Sequence, residues 1–118
     1  HVRSRRQRQM CIRDRAERFY CLALEHDPAD YLTLGNYAVF LDDVRGNYVK
    51  AEVYYLRAIK ANNHDSDNLG NYAAFIEKVH KDYDKAEQYY RYAIEADPYK
   101  RTTIGKLWAI SPQYSWGI

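Results

Sequence analysis

Few residues in this chain are of a type and spacing that would support chemistry. The stretch "DSDNLG" at 65–70 sets Asp65, Asp67 and Gly70 at the first, third and sixth places of a calcium loop. The fifth and twelfth places need oxygen ligands but hold Leu69 and Ile76, so the motif fails and Asp65 to Asn68 reads as a helix cap. His1, His26, His64 and His80 are scattered, with no second His or Cys at helical ligand spacing, and Cys11 and Cys21 form no metal-ligand pattern. Ser4, Ser66, Ser111 and Ser115 fall in tails or a turn, and the pair Asp42-Asp43 reads as a solvated helix face. No nucleophile, base and orienting partner come together. The expectation is a non-catalytic chain that needs no metal and no cofactor.

Composition narrows the class further. The 118 residues suffice for one domain with a modest core, and 29% charged with 47% hydrophobic content describes a soluble globular chain. No apolar run approaches the roughly 18 residues of a membrane span. Thirteen tyrosines against three phenylalanines put hydroxyls on most of the aromatic bulk, which suits half-buried rings with a wet tip. Two cysteines without a framework favour a reducing compartment, so an intracellular, cytoplasmic location is expected. The net charge of +2 belongs to the tail: residues 1–14 hold five Arg and one Asp, leaving 13 basic against 15 acidic residues elsewhere.

The elements that position these residues are repeated. "LGNYA" occurs at 34–38 and again at 69–73, and residues 34–63 match residues 69–98 at 16 of 30 positions. A third copy of the second half is "AERFYCLALEHDP" at 16–28. Leu34, Tyr37, Ala38 and Leu41 fall at i, i+3, i+4 and i+7, the apolar face of a helix, and Leu69, Tyr72, Ala73 and Ile76 repeat it. After a polar turn, a second helix carries Ala51, Tyr55 and Ala58, matched by Ala86, Tyr90 and Ala93. Asn47 and Asp82 are its expected N-caps, and Asp27-Pro28 and Asp97-Pro98 mark far ends that proline cannot extend. The alanines allow close helix crossing while tyrosines fill the flanks. In the pairs Tyr54-Tyr55 and Tyr89-Tyr90, about 100° of helical rotation sends one ring inward and the other partly outward, so core packing is favoured over base stacking.

An Ala, an aromatic four on, an Ala three on and a Pro five on resembles the tetratricopeptide repeat. These positions are Ala16, Tyr20, Ala23 and Pro28, then Ala51, Tyr55 and Ala58, then Ala86, Tyr90, Ala93 and Pro98; Tyr48 and Tyr83 match the aromatic that opens the second helix. The resemblance covers about residues 15–100, with repeats at 16–28, 30–63 and 65–98. It implies an all-α fold: an α-α superhelix, a right-handed solenoid of antiparallel helix pairs, with about two and a half units. The period of 35 exceeds the family's usual 34, and the extra residue is expected in the turn before Tyr48 and Tyr83. Leu34 and Leu69 replace a common Trp, Ala38 and Ala73 a common Gly, and Asn63 the proline of the middle unit.

The resemblance also implies a function: a protein-binding scaffold whose first helices line a concave peptide groove. The groove face is expected to be Asn36, Val39, Asp42 and Asp43, then Asn71, Ala74, Glu77 and Lys78, with the two asparagines holding a peptide backbone. Gly35 and Gly70 carry no charge beside them, so a carboxylate clamp is disfavoured and a neutral or basic partner is expected. Nucleic acid is disfavoured because the repeats are acidic. A helical-repeat module of an RNA-processing factor, of the pentatricopeptide kind, and a spacer or dimerisation arm of a larger protein are the alternatives.

The ends do not continue the pattern. Residues 1–14 read as a non-native or disordered basic tail in which "RQMCIRDR" resembles translated sequencing-adapter read-through, rather than as a localisation or nucleic-acid arm. Residues 101–110 read as the start of a further helix with Ile104 and Leu107 on its apolar face and Trp108 where Ala belongs. Residues 111–118 read as a second non-native tail. A fragment of a longer protein is expected, with uncapped ends available for self-association.

Overall fold

The computed structural model describes residues 15–110, and every regular element among them is helical. The expectations placed on 1–14 and 111–118, including His1, Cys11, Ser4, Ser111 and Ser115, lie outside the described residues. The chain divides after Ala61 into two compact units. The first holds α1 (Arg15–His26), α2 (Tyr31–Phe40), a π-helical turn (Leu41–Arg45) and α3 (Tyr48–Ala61). The second holds α4 (Ser66–Phe75), a π-helical turn (Ile76–His80), α5 (Tyr83–Ala96) and α6 (Arg101–Ile110).

Within the first unit α2 packs on α3, with α1 against α2. The face anticipated from the i, i+3, i+4, i+7 spacing is the buried one: Leu34, Tyr37, Ala38 and Leu41 are all sealed, as are Ala51, Tyr55 and Ala58 of α3. In the second unit α4 packs on α5 and α5 on α6, and Leu69, Tyr72, Ala73, Ile76, Ala86, Tyr90 and Ala93 are buried likewise. Ala38, Ala51, Ala58, Ala73, Ala86 and Ala93 each expose 0% of their surface. Such sites are fully enclosed, and overpacking a core costs about 1–3 kcal/mol. In α1 the matching positions are looser: Ala16 is exposed, and Tyr20 and Ala23 are half-buried. In α6, Thr103 and Leu107 are buried, Ile104 is half-buried and Trp108 is exposed.

The last turn of each first helix is π-helical, and an i→i+5 ring holds one residue more than an i→i+4 ring. The widened turn closes on Gly46 (φ 65°), whose N–H donates to the Leu41 carbonyl, and on Lys81 (φ 56°) in the second unit. Asn47 N–H also donates to Leu41 O at 2.9 Å. The next helices are capped as their sequence predicts: Asn47 Oδ1 accepts from Lys50 N (3.3 Å) and Asp82 Oδ1 from Lys85 N (3.1 Å). Asp65 Oδ2 accepts from Asn68 N at 3.0 Å, which is the cap read from "DSDN".

The helix ends at Asp27 and Asp97 share a second device. Asp27 Oδ1 accepts from Ala29 N and Asp97 Oδ1 from Tyr99 N, both at 3.2 Å. Asn62, at the same register, accepts from His64 N at 2.9 Å. The side chain bent back on its own backbone shapes the turn in all three places. Pro28, Asn63 and Pro98 follow it, exposed, and Asn63 suffices because the preceding residue already turns the chain.

Gly46 and Lys81 are matched positions with the same left-handed backbone, and a Cβ on Gly46 would meet nothing within 4 Å. Only backbone strain, about 1–2 kcal/mol, offset by about 0.4–1 kcal/mol of lost unfolded-chain freedom, then separates glycine from alanine. Gly46→Ala should therefore lower stability by about 1 kcal/mol in urea denaturation, while Lys81→Gly should raise it by no more than that. A destabilising Lys81→Gly would contradict this account of the turn.

Candidate functional site

The residues expected along the first helices separate into two groups. In α2 and its π-turn, Asn36 and Asp43 are exposed and Val39 is half-buried, but Asp42 is only 7% exposed. In the second unit Lys78 is exposed, and Asn71, Ala74 and Glu77 are half-buried. Helical rotation explains the division. Seven residues return the chain to within about 20° of Asn36, so Asp43 and Lys78 share the asparagines' side, whereas six residues leave Asp42 and Glu77 about 120° away.

Asp42 and Glu77 are turned to the second helix of their own unit. Tyr55 Oη donates to Asp42 Oδ2 at 3.2 Å, and Tyr90 Oη donates to Glu77 Oε1 at 3.1 Å. The placement of Asp42 on an open acidic face is therefore corrected, since it is buried and accepts from the Tyr55 phenol, while Glu77 is half-buried and accepts from Tyr90. Only Asp43 leaves the first unit's face acidic, and Lys78 makes the second unit's face basic. Of the tyrosine pairs, Tyr55 and Tyr90 are buried while Tyr54 and Tyr89 are half-buried, one ring inward and one partly outward.

A second buried carboxylate was hidden in the recurring Ala-Glu pair. Glu17 of α1, 3% exposed, accepts from Tyr37 Oη at 2.9 Å and from Arg45 Nη2 and Nε at 2.9 and 3.2 Å. Lys50 Nζ in turn donates to Tyr37 Oη at 3.3 Å. The Arg45 guanidinium lies over the Phe40 ring at 5.3 Å, and Tyr37 meets Tyr54 edge-on with centroids 4.8 Å apart. A Glu repeated beside each Ala, with a Tyr repeated two turns into the first helix, was the signal available for this contact.

The electrostatics favour neutral phenols. Burial, reinforced by Glu17, pushes the Tyr37 hydroxyl well above its ordinary range. Burial and the Asp42 carboxylate do the same to Tyr55, and burial and Glu77 to Tyr90. Such hydroxyls are donors locked onto carboxylates, suited to fixing helices and not to attacking a substrate. Among the described residues no group of three or more His, Cys, Asp and Glu is placed to hold a metal ion. Among the same residues no helix is long and apolar enough to cross a membrane. No protein-family model matches the chain, and a search of curated proteins finds no match either.

Raised phenol pKa values make stability fall in alkali. The contribution is complete below the unfolded value of about 10 and is lost as pH climbs toward the folded values, because only the unfolded chain releases these protons. Each such tyrosine should remove about 1.4 kcal/mol per pH unit above about pH 10. Circular dichroism and phenolate absorbance followed together should show part of the tyrosine signal appearing only with loss of helix. Tyr55→Phe should cost about 1–3 kcal/mol at neutral pH, by taking the phenol from buried Asp42, yet flatten the alkaline slope by one tyrosine's share.

Proposed function

We propose that this chain is a non-catalytic protein-interaction scaffold of tetratricopeptide type, which takes an extended peptide along the first helices of its units. The observation that supports this reading is the state of Asn36 and Asn71. They occupy one register position in α2 and α4, and neither amide hydrogen-bonds to another described residue. Mid-helix asparagine lowers helix propensity, by as much as ~0.7 kcal/mol relative to alanine, and neither residue offsets this by packing in the core. An amide that both donates and accepts can pair with the backbone of an extended segment without regard to its side chains.

The surroundings set the partner's character. Val39 and Ala74 give each asparagine a small apolar neighbour one turn on, and Asp43 sits a further turn along in the first unit. A neutral peptide, or one with a basic residue aligned to Asp43, suits this face. Self-association remains part of the proposal through the loosely packed α1, where Phe19 and Leu22 are exposed.

Replacing Asn36 and Asn71 together by Ala tests the assignment. In a screen of the 118-residue chain against a peptide array, followed by calorimetry on the peptides retained, the double variant should bind at least about tenfold more weakly. Its helicity and melting temperature should stay the same or rise slightly, since alanine is the better helix former. Undiminished binding with an unchanged melt would remove the asparagines from the site.

A further inference from the structure

Laying α5 over α3 by the repeat separates positions the fold requires from positions it leaves open. Ala51, Tyr55 and Ala58 recur as Ala86, Tyr90 and Ala93, all buried. Val49, Val53 and Leu56 recur as Asp84, Gln88 and Arg91, all exposed. These positions are spaced i, i+4 and i+7, which sets them along one side of the helix. In α3 they carry apolar residues that are 82%, 50% and 44% exposed. The sister helix packs with polar residues at the same places, so packing within a unit does not call for apolar ones. Single exposed apolar residues are ordinary; an ordered stripe that the repeat partner lacks has another use.

The charges beside the stripe change in step. Lys60 continues it one turn beyond Leu56 and Arg57 flanks it, where α5 has Glu95 and Tyr92. Arg57 is held in place: its guanidinium lies over the Tyr54 ring at 4.9 Å and donates to the Pro28 carbonyl at 3.1 Å. The outer side of α3 is thus apolar along its axis and basic at its C-terminal end.

We infer that this side of α3 is a docking surface for a short amphipathic helix of a partner protein, with apolar residues against Val49, Val53 and Leu56 and acidic residues against Arg57 and Lys60. Charge complementarity selects the acidic flank. Three side chains fall far short of the roughly 800 Å² per partner of a stable protein–protein interface, which favours a short segment over a second copy of the chain. The surface lies on a second helix, away from Asn36, and prefers the opposite charge to the peptide site proposed there.

Two synthetic helical peptides test this, sharing leucines at i, i+4 and i+7 but flanked in one case by Glu and in the other by Lys. Titrated into the 118-residue chain and read by fluorescence anisotropy, the Glu-flanked peptide should bind at least about tenfold more tightly than the other. The triple variant Val49→Asp, Val53→Gln, Leu56→Arg carries residues that α5 already accommodates, so it should keep its melting temperature and lose this binding. Lys60→Glu should bring the two peptides to within a few-fold of each other, since Arg57 then faces an added carboxylate on the same flank. The Asn36→Ala, Asn71→Ala variant should bind the Glu-flanked peptide undiminished, which separates failure of this surface from failure of the peptide site. Equal binding of both peptides, no binding of either, or full binding by the triple variant would overturn the inference. So would stripe-dependent dimerisation in sedimentation, or retention only on phosphatidylserine–phosphatidylcholine vesicles.

Discussion

A phenol on the second helix donating to a carboxylate at the end of the first is the contact around which each unit is arranged. Tyr55 reaches Asp42 and Tyr90 reaches Glu77, thirteen residues back in both cases. The alanines flanking each ring are fully buried, and the ring's hydroxyl reaches the π-helical end of the first helix. There its hydroxyl must find an acceptor or remain unsatisfied, at about 1–3 kcal/mol. The π-helical turn lies where that acceptor is needed: Asp42 is its second residue in one unit and Glu77 in the other. Asp in one unit and Glu in the other keep the bond at nearly the same length, so the carboxylate matters more than the arm that carries it. Close crossing, widened turn and buried acid therefore form one constraint.

That constraint explains what was legible in the residues. Apolar spacing exposes the core directly, because burial follows the 3.6-residue period; Leu34, Tyr37, Ala38 and Leu41 and their counterparts are where that period puts them. Caps are legible for a similar reason, since Asn47, Asp65 and Asp82 act on backbone within three residues of themselves. Asp42 departs from the side of Asn36 because a six-residue step does not return to the same face, and it is buried against Tyr55. The π-turn was not legible at all. Spacing in the repeat does not distinguish a π-turn from a loop, and it is the carbonyl of Leu41 receiving Gly46 and Asn47 that shows it.

Glu17 marks another limit of local reading. Its partners Tyr37 and Arg45 are 20 and 28 residues away, and a buried acid looks like a solvated one until those partners are in place. Removing one member of such a group strands the others, so the network is better regarded as fixing how α1 meets α2 than as adding stability. The lysine above Tyr37 and the arginine above Phe40 extend it with cations over ring faces. Three of the thirteen tyrosines, Tyr37, Tyr55 and Tyr90, thereby acquire a reason for the hydroxyl. A hydroxyl lets a large buried ring donate to a carboxylate on a neighbouring element.

Repetition within the chain separates positions that packing requires from positions it leaves open. Where the two units agree and the side chain is buried, packing accounts for the agreement, and nothing about a partner follows. Where they agree and the side chain is not committed to the core, as at Asn36 and Asn71, packing within a unit does not account for the agreement. Where they disagree, as along Val49, Val53 and Leu56 against Asp84, Gln88 and Arg91, the fold tolerates both, so whatever retains the apolar residues acts on one unit alone.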